Sequence, residues 1–330
     1  MMIRIGMISY WHVHAEEYTG YAVKHPETEL AAIWDENPER GKAMSEKYGV
    51  PFVASLDDLL GDASIDAVVV DTPTSRHRDV MVQAAKAGKH IFTEKVVAPT
   101  LKEVNEILAA VNEAGVKLTV SLPRLYDDYT VTLRALLEEQ PLGQLTMARV
   151  RLSHNGATAG WLPEHFYSLE QCGGGALIDL GCHPMYLVRL LLGMPERVTA
   201  HYGYVTGKEV EDNAVSVLSY PDGALGIVEA GFVNRHSPFS IEIHGVDGTL
   251  LFGFPEAEIR IRSAGRTGEW ETVPLLSRRP IAFNQWVDHI LNGTAADENI
   301  ALAVDLTKLM EASNRSAAEG RPIAVGELEA

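Results

Sequence analysis

An α/β chain of two domains, the first on a doubly wound parallel sheet and the second on an open, mostly antiparallel one, is what this sequence predicts. Three observations lead there. The first 121 residues alternate short apolar runs with helical patterns, the rhythm of β-α-β units. From residue 122 the helical spacers thin out and strand patterns follow one another across turn signals. A length of 330 residues also exceeds the reach of one hydrophobic core. The expected division is therefore residues 1–121 and 122–330.

In the first domain, strands are expected at 3–9, 29–34, 67–71, 89–93 and 116–120, with helices between them. The clearest helix is 100–114. Thr100 and Glu103 form a capping box, Val104, Ile107, Leu108 and Val111 make one apolar stripe, and Gly115 is the stop. Another helix starts near Thr74 or Ser75 and ends at Gly88. In the second domain a single long helical stretch, 176–192, accompanies strands at 145–153, 198–206, 214–220, 224–232, 240–244 and 259–262. Pro221-Asp222-Gly223 and Val246-Asp247-Gly248 mark turns. Two helices, 281–291 and 301–318, close the chain.

The net charge of −17 repels phosphate backbones and anionic membranes, so neither nucleic acid nor a membrane is an expected partner. Cys172 and Cys182 have no metal-ligand spacing and form no disulfide framework, which points to a reducing compartment. No signal pattern follows Met1, and no apolar run approaches the roughly 18 residues that cross a bilayer. A soluble, cytoplasmic protein is expected. Several strands of the second domain carry apolar residues on both sides, among them Val215, Val217, Ile227, Val228 and Phe232. A bared apolar sheet face is covered by a second subunit, so a homo-oligomer is expected.

In a doubly wound sheet the turn after the first strand meets the ligand. Here it reads Ser9-Tyr10-Trp11-His12-Val13-His14, and Ser9, Trp11 and His14 stand where Gly-x-Gly-x-x-Gly would place glycines. Asp35, at the end of the second strand, suits a ribose 2′-hydroxyl, unless it merely caps the turn before Asn37-Pro38. Glu36 would repel a 2′-phosphate, which favours NAD over NADP. His12 and His14 share no helix face and lack a third ligand of suitable spacing, so no metal is expected.

Glu94-Lys95 follows the fourth strand at the carboxyl edge of the sheet. Partial burial there would lower the lysine's pKa towards proton transfer; a solvated ion pair is the plainer alternative. Within residues 173–184, "GGGALIDLGCHP", Asp179 and His183 are four apart and share a face if the segment is helical, although Pro184 disturbs it. A cap and a satisfied buried histidine would explain the same pair.

Together these pieces resemble the Gfo/Idh/MocA (glucose-fructose oxidoreductase and inositol dehydrogenase) family over nearly the whole chain. The matching fragments come in order: "DAVVVDTPTSRH" (66–77), "AGKHIFTEK" (87–95), Arg124, "LGQL" (142–145), "GGGALIDLGCH" (173–183) and "HGVDGTL" (244–250). The resemblance implies a Rossmann-type dinucleotide-binding domain and an α+β domain whose open sheet mediates oligomer contacts. It makes Lys95, Asp179 and His183 the catalytic group. Ser9, Trp11, His12, Asp35, Thr72, Pro73, His77 and Glu94 would border the cofactor, NAD rather than NADP. Arg124, Tyr126, His154, Trp161 and His165 would meet a sugar or polyol substrate. Two further departures stand out besides the turn: Val96 replaces the proline after Lys95, where a trans bond would re-aim the lysine, and Tyr186 replaces an aspartate three residues after His183.

The chemistry implied is reversible oxidation of a secondary alcohol, with His183 removing the hydroxyl proton, Lys95 on the reacting oxygen and Asp179 orienting His183 or a neighbouring hydroxyl. It requires the lysine and the imidazole to converge on one cavity. The rival readings are NAD-assisted glycoside cleavage, which releases no net NADH, and a cofactor-binding regulatory protein without chemistry.

Overall fold

A computed structural model describes residues 2–328. Five strands, β1 (Ile3–Ile8), β2 (Thr28–Trp34), β3 (Ala67–Val70), β4 (His90–Thr93) and β5 (Leu118–Val120), form a sheet in the order β2-β1-β3-β4-β5. Every neighbouring pair is parallel. All four residues of β3 are buried, as befits a strand covered on both faces. The order reverses between β1 and β3, so the crevice beyond their carboxyl ends is the switch point where such sheets bind ligands.

The helix Leu101–Ala114 has its capping box, with the Glu103 amide donating to Thr100 Oγ1 at 3.3 Å and the Thr100 amide to Glu103 Oε2 at 3.2 Å. Gly115 ends it at φ 65°. The helix expected after Thr74 starts as a 3₁₀ turn, Thr74–Arg76, and becomes α at His77–Lys86. β5 is shorter than expected because the Lys117 amide donates to His90 Nδ1 at 2.9 Å instead of joining the ladder.

The chain divides into two units at Ser121/Leu122, but the second is not continuous to the C-terminus as 122–330 would have it: Pro280–Ala303 belongs to the first. Aromatic packing draws it there. Phe283 and Trp286, on the helix Ala282–Asn292, lie with ring centroids 5.5 and 5.7 Å from that of Phe92. Asn299 then brackets Val120 on the edge strand β5, its Oδ1 accepting the Val120 amide and its Nδ2 donating to the Val120 carbonyl, each at 2.9 Å.

The second unit holds β6 (Leu145–Ser153), β7 (Arg197–Gly203), β8 (Asn213–Ser219), β9 (Leu225–Gly231), β10 (Ser240–Gly245), β11 (Gly248–Phe252), β12 (Ile259–Ser263), β13 (Glu271–Val273) and β14 (Ile323–Ala324). Their order is β13-β12-β11-β10-β6-β9-β8-β7-β14, antiparallel except for the central pair β6 and β9. β11, β13 and β14 were not foreseen, nor was the helix Asp128–Glu138, whose Tyr-Thr-Val-Thr after Asp128 is aromatic and β-branched and reads locally as strand.

Inward residues such as Ala148, Val150, Val228, Ile241 and Ile243 are fully buried, while Met147, Arg149, Val215, Val217 and Ile227 on the other face are half-buried. Of the apolar residues expected to be bared, Val228 and Phe232 are therefore core. The stretch Leu169–Leu192 is apolar and long enough to cross a membrane by composition, yet 67% of its most apolar window is buried: it is the core helix of this unit. It is not one uniform α-helix. A π turn, Leu177–Gly181, precedes the α-helix Cys182–Leu192. Pro184, with no N–H, cannot extend the i→i−4 ladder backwards, and Cys182 Sγ instead reaches the Asp179 carbonyl at 2.9 Å.

Candidate active site

β1 runs into the turn at φ 75° for Ser9, a left-handed conformation that costs a non-glycine residue about 1–2 kcal/mol. The glycine geometry thus survives without the glycine. Ser9 Oγ accepts the Trp11 amide at 3.1 Å, and the Ser9 amide donates to the Trp34 carbonyl at 2.7 Å. Trp11 and His12 are buried in this turn.

Asp35 caps the turn before Asn37-Pro38, the alternative the sequence left open. Oδ1 accepts the Asn37 amide and Arg40 Nη2 at 2.7 and 2.8 Å; Oδ2 accepts the Tyr10 amide and Arg40 Nε, both at 2.8 Å. A carboxylate has about four lone-pair sites. All are engaged, so Asp35 fixes the first turn and Arg40. Glu36 Oε1 also holds Arg40, at 2.7 Å, whereas its buried Oε2 has no hydrogen-bond partner among the described residues.

At the carboxyl ends of β3 and β4 a cluster of acids is buried. Both oxygens of Asp71, Thr72 Oγ1 and Glu94 Oε1 lack hydrogen-bond partners among the described residues. Burial, with the charge of Glu94, holds the Asp71 carboxyl well above the usual range. Glu94 behaves oppositely: burial opposes its charge, but the imidazoles of His12 and His14, with Lys95, outweigh that and hold it well below. Glu94 Oε2 accepts the Tyr18 hydroxyl and lies 3.4 Å from His14 Nδ1; the Lys95 ammonium is 3.8 Å from Oε1. The Glu94-Lys95 pair is not solvated, since each side chain is only 2% exposed.

His77, expected beside the cofactor, is a brace. Its Nε2 is 3.1 Å from the Thr72 carbonyl and its Nδ1 3.1 Å from those of Val96 and Val97; the neutral ring has a single N–H, so it donates on one of these sides while it packs between the Thr72-Pro73 loop and the segment after Lys95. Burial lowers its pKa. Glu94 also supplies the third neighbour that spacing alone denied to His12 and His14: the three offer ligand atoms within 4.8 Å of one another and could hold a metal ion. Tyr18 and His14 were missed as supports of Glu94. They are four apart at the start of the helix Ala15–Lys24, which was the available signal.

In the second unit, Asp179 sits on the π turn and His183 in the first turn of the following helix. His183 is buried, and its Nδ1 lies 3.2 Å from Tyr186 Oη, which accepts the Arg124 amide at 3.0 Å. Tyr186 thus occupies the orienting position. The Arg124 guanidinium, expected at substrate, lies 4.3 Å from the Phe239 ring centroid and donates to Tyr129 Oη at 3.2 Å. Its side chain belongs to an aromatic cluster, and its backbone serves the site. Tyr126 is buried.

His154 stacks on Phe232, 5.2 Å between centroids, and lies 4.6 Å from Trp161, whose indole is 56% exposed. Burial lowers the His154 pKa against the pull of the Asp179 charge, which places Asp179 within electrostatic reach of that pair. His165 packs beside Phe166.

A family model described as an oxidoreductase family with an NAD-binding Rossmann fold matches residues 3–122, and the model of the Gfo/Idh/MocA C-terminal domain matches 130–251. The chain belongs to the Gfo/Idh/MocA family. It is 29% identical to a 1,5-anhydro-D-fructose reductase of Ensifer adhaerens, over 72% of each chain. It is 27% identical to an inositol 2-dehydrogenase of Rhizobium meliloti, over 98% of this chain and all of that one. A levoglucosan dehydrogenase solved with NADH and levoglucosan superposes at a TM-score of 0.84, with 20% identity over 98% of this chain and 99% of the other. As a Gfo/Idh/MocA oxidoreductase the chain keeps the turn geometry with Ser9. The Lys95–Val96 peptide bond is cis, not the trans bond that would have re-aimed the lysine. The buried acceptors of Asp71, Thr72 and Glu94 fit the hydroxyl donors of a dinucleotide at this edge.

Proposed function

We propose that this chain transfers a hydride between NAD and a secondary alcohol, or its ketone, on a sugar, sugar derivative or polyol. Lys95 carries the reading: a lysine withdrawn from water beside an equally buried glutamate, at the sheet edge where doubly wound folds bind their ligands. The nicotinamide ring, when bound, accepts or supplies the hydride. Lys95 hydrogen-bonds the reacting oxygen. His183 takes the hydroxyl proton at Nε2 while its Nδ1–H is donated to Tyr186 Oη, and returns it in the reverse direction. Asp179 accepts a neighbouring hydroxyl, and the exposed face of Trp161 suits the C–H side of a sugar ring.

Glu36 Oε2 supports NAD over NADP, because a carboxylate oxygen with capacity to spare accepts a ribose hydroxyl and repels a 2′-phosphate. The half-buried outer face of the second sheet, with Met147, Val215, Val217 and Ile227 around the Arg149–Glu229 ion pair of 2.8 Å, supports pairing with a second copy of the chain. Two buried cysteines outside any disulfide support a reducing, cytoplasmic location.

The test begins with NADH and NADPH titrations followed by fluorescence and thermal shift, then a sugar and polyol panel with the better cofactor. His183→Ala and Lys95→Met should each lower turnover by roughly 10²–10⁴-fold. Near-normal turnover in both overturns the assignment, and a monomer by light scattering overturns the pairing.

A further inference from the structure

One residue of the second unit binds the start of the segment that carries Asp179 and His183. Glu211 Oε2 accepts the Gly175 amide at 2.9 Å, its main-chain carbonyl accepts the Ala176 amide at 2.8 Å, and its Oε1 accepts the Leu177 amide at 2.9 Å. Three successive amides are thus held by one residue. These are the N–H groups that a helical start leaves without partners, and a carboxyl group is the side chain whose two oxygens can serve two of them.

The close approach depends on Gly175, where a Cβ would stand 2.0 Å from the Glu211 carbonyl oxygen. Glu211 is itself anchored. Its neighbour Asp212 accepts the Val205 and Thr206 amides at 2.9 and 2.6 Å, donates its own amide to the Gly203 carbonyl at 3.0 Å, and accepts the Phe232 amide at 2.8 Å. The clamp therefore connects the end of β7 and the segment after β9 to the π turn.

We propose that Glu211 is a positioning residue for the hydride-transfer chemistry, fixing the register of residues 175–177 and through them the placement of Asp179 and His183. The role in catalysis rests on the reading of His183 given above; the clamp does not. Glu211 is 3% exposed, and burial pushes its carboxyl up to about 7, against the pull of the Leu177 and Gly175 amides. The groups facing it are Asp212, Tyr202 of β7 and Tyr204. Both carboxyl oxygens are bound by the backbone amides they hold.

The test compares Glu211→Ala, which removes both side-chain acceptors, with Glu211→Gln, which returns one. Hydrogen exchange and the His183 imidazole NMR signals need no substrate. In Glu211→Ala, the amides of Gly175 and Leu177 should exchange at least tenfold faster and the His183 signals should shift, with NADH affinity changed less than twofold. Glu211→Gln should restore protection to one of the two amides and move the His183 signals some of the way back. With a substrate in hand, kcat should fall at least tenfold in Glu211→Ala and recover partly in Glu211→Gln. Wild-type exchange and unshifted His183 signals in Glu211→Ala overturn the clamp; unchanged kcat despite a shifted His183 overturns its role in catalysis. Full turnover in His183→Ala would instead refute the reading of the reaction and leave the exchange result standing.

Discussion

The two units hold their reactive groups by different means. In the first, ionisable groups are arranged around ionisable groups: Glu94 among His12, His14 and Lys95, and Asp35 gripping Arg40. In the second, the imidazole and the acid are placed by a distortion of the helix and by neutral or backbone partners, namely Tyr186 on His183 and Glu211 on three amides. The difference teaches where each site should fail. Buried compensated charges are lost abruptly when one partner is removed, since the remaining charge is left unpaired. A helix register held by hydrogen bonds loosens by degrees.

The largest effect expected is in the Lys95→Met, His183→Ala double variant. If both act on one hydroxyl, the double should be no slower than the worse single, because residues that act as a unit are not additive; multiplied losses in steady-state kinetics would separate the two sites. Next, Tyr186→Phe should lower kcat roughly tenfold through loss of the hydroxyl that orients His183, with the NADH dissociation constant unchanged. An altered NADH affinity would blur the contrast between the units. Smaller still is Glu36→Gln, for which parallel titrations should show the preference for NADH over NADPH narrowing about threefold, roughly 0.7 kcal/mol.

The last prediction concerns pH. Glu211, with a carboxyl raised to about 7 from the ordinary 4.5, contributes stability that is complete below the ordinary value and lost as pH rises through about 7. The size is on the order of 3 kcal/mol at most. Urea denaturation of the wild type should therefore show stability falling from pH 5 to 8, and Glu211→Gln should make that fall shallower by the share Glu211 contributes, leaving the part due to the buried Asp71 carboxyl.

Much of this was legible from the residues alone, because local signals were unambiguous there. The capping box at Thr100 and the fourth strand that ends just before Glu94-Lys95 lie within short windows. What was illegible depends on chain segments meeting across long separations. Nothing near Asp35 in a one-dimensional pattern says that Tyr10, 25 residues earlier, will donate to it, leaving Glu36 as the acceptor with capacity to spare. Glu94 and His14 are 80 residues apart in sequence, and Pro280–Ala303 rejoins the first unit through Phe283 and Trp286. Pro184 gave a warning of the π turn but not its form.

Asn299 has a consequence for assembly. By donating to and accepting from the same residue of β5, its side-chain amide imitates the peptide group of an absent sixth strand. At Val120 the edge of the parallel sheet is thereby occupied, so a strand from another copy of the chain would have to displace this asparagine to pair there.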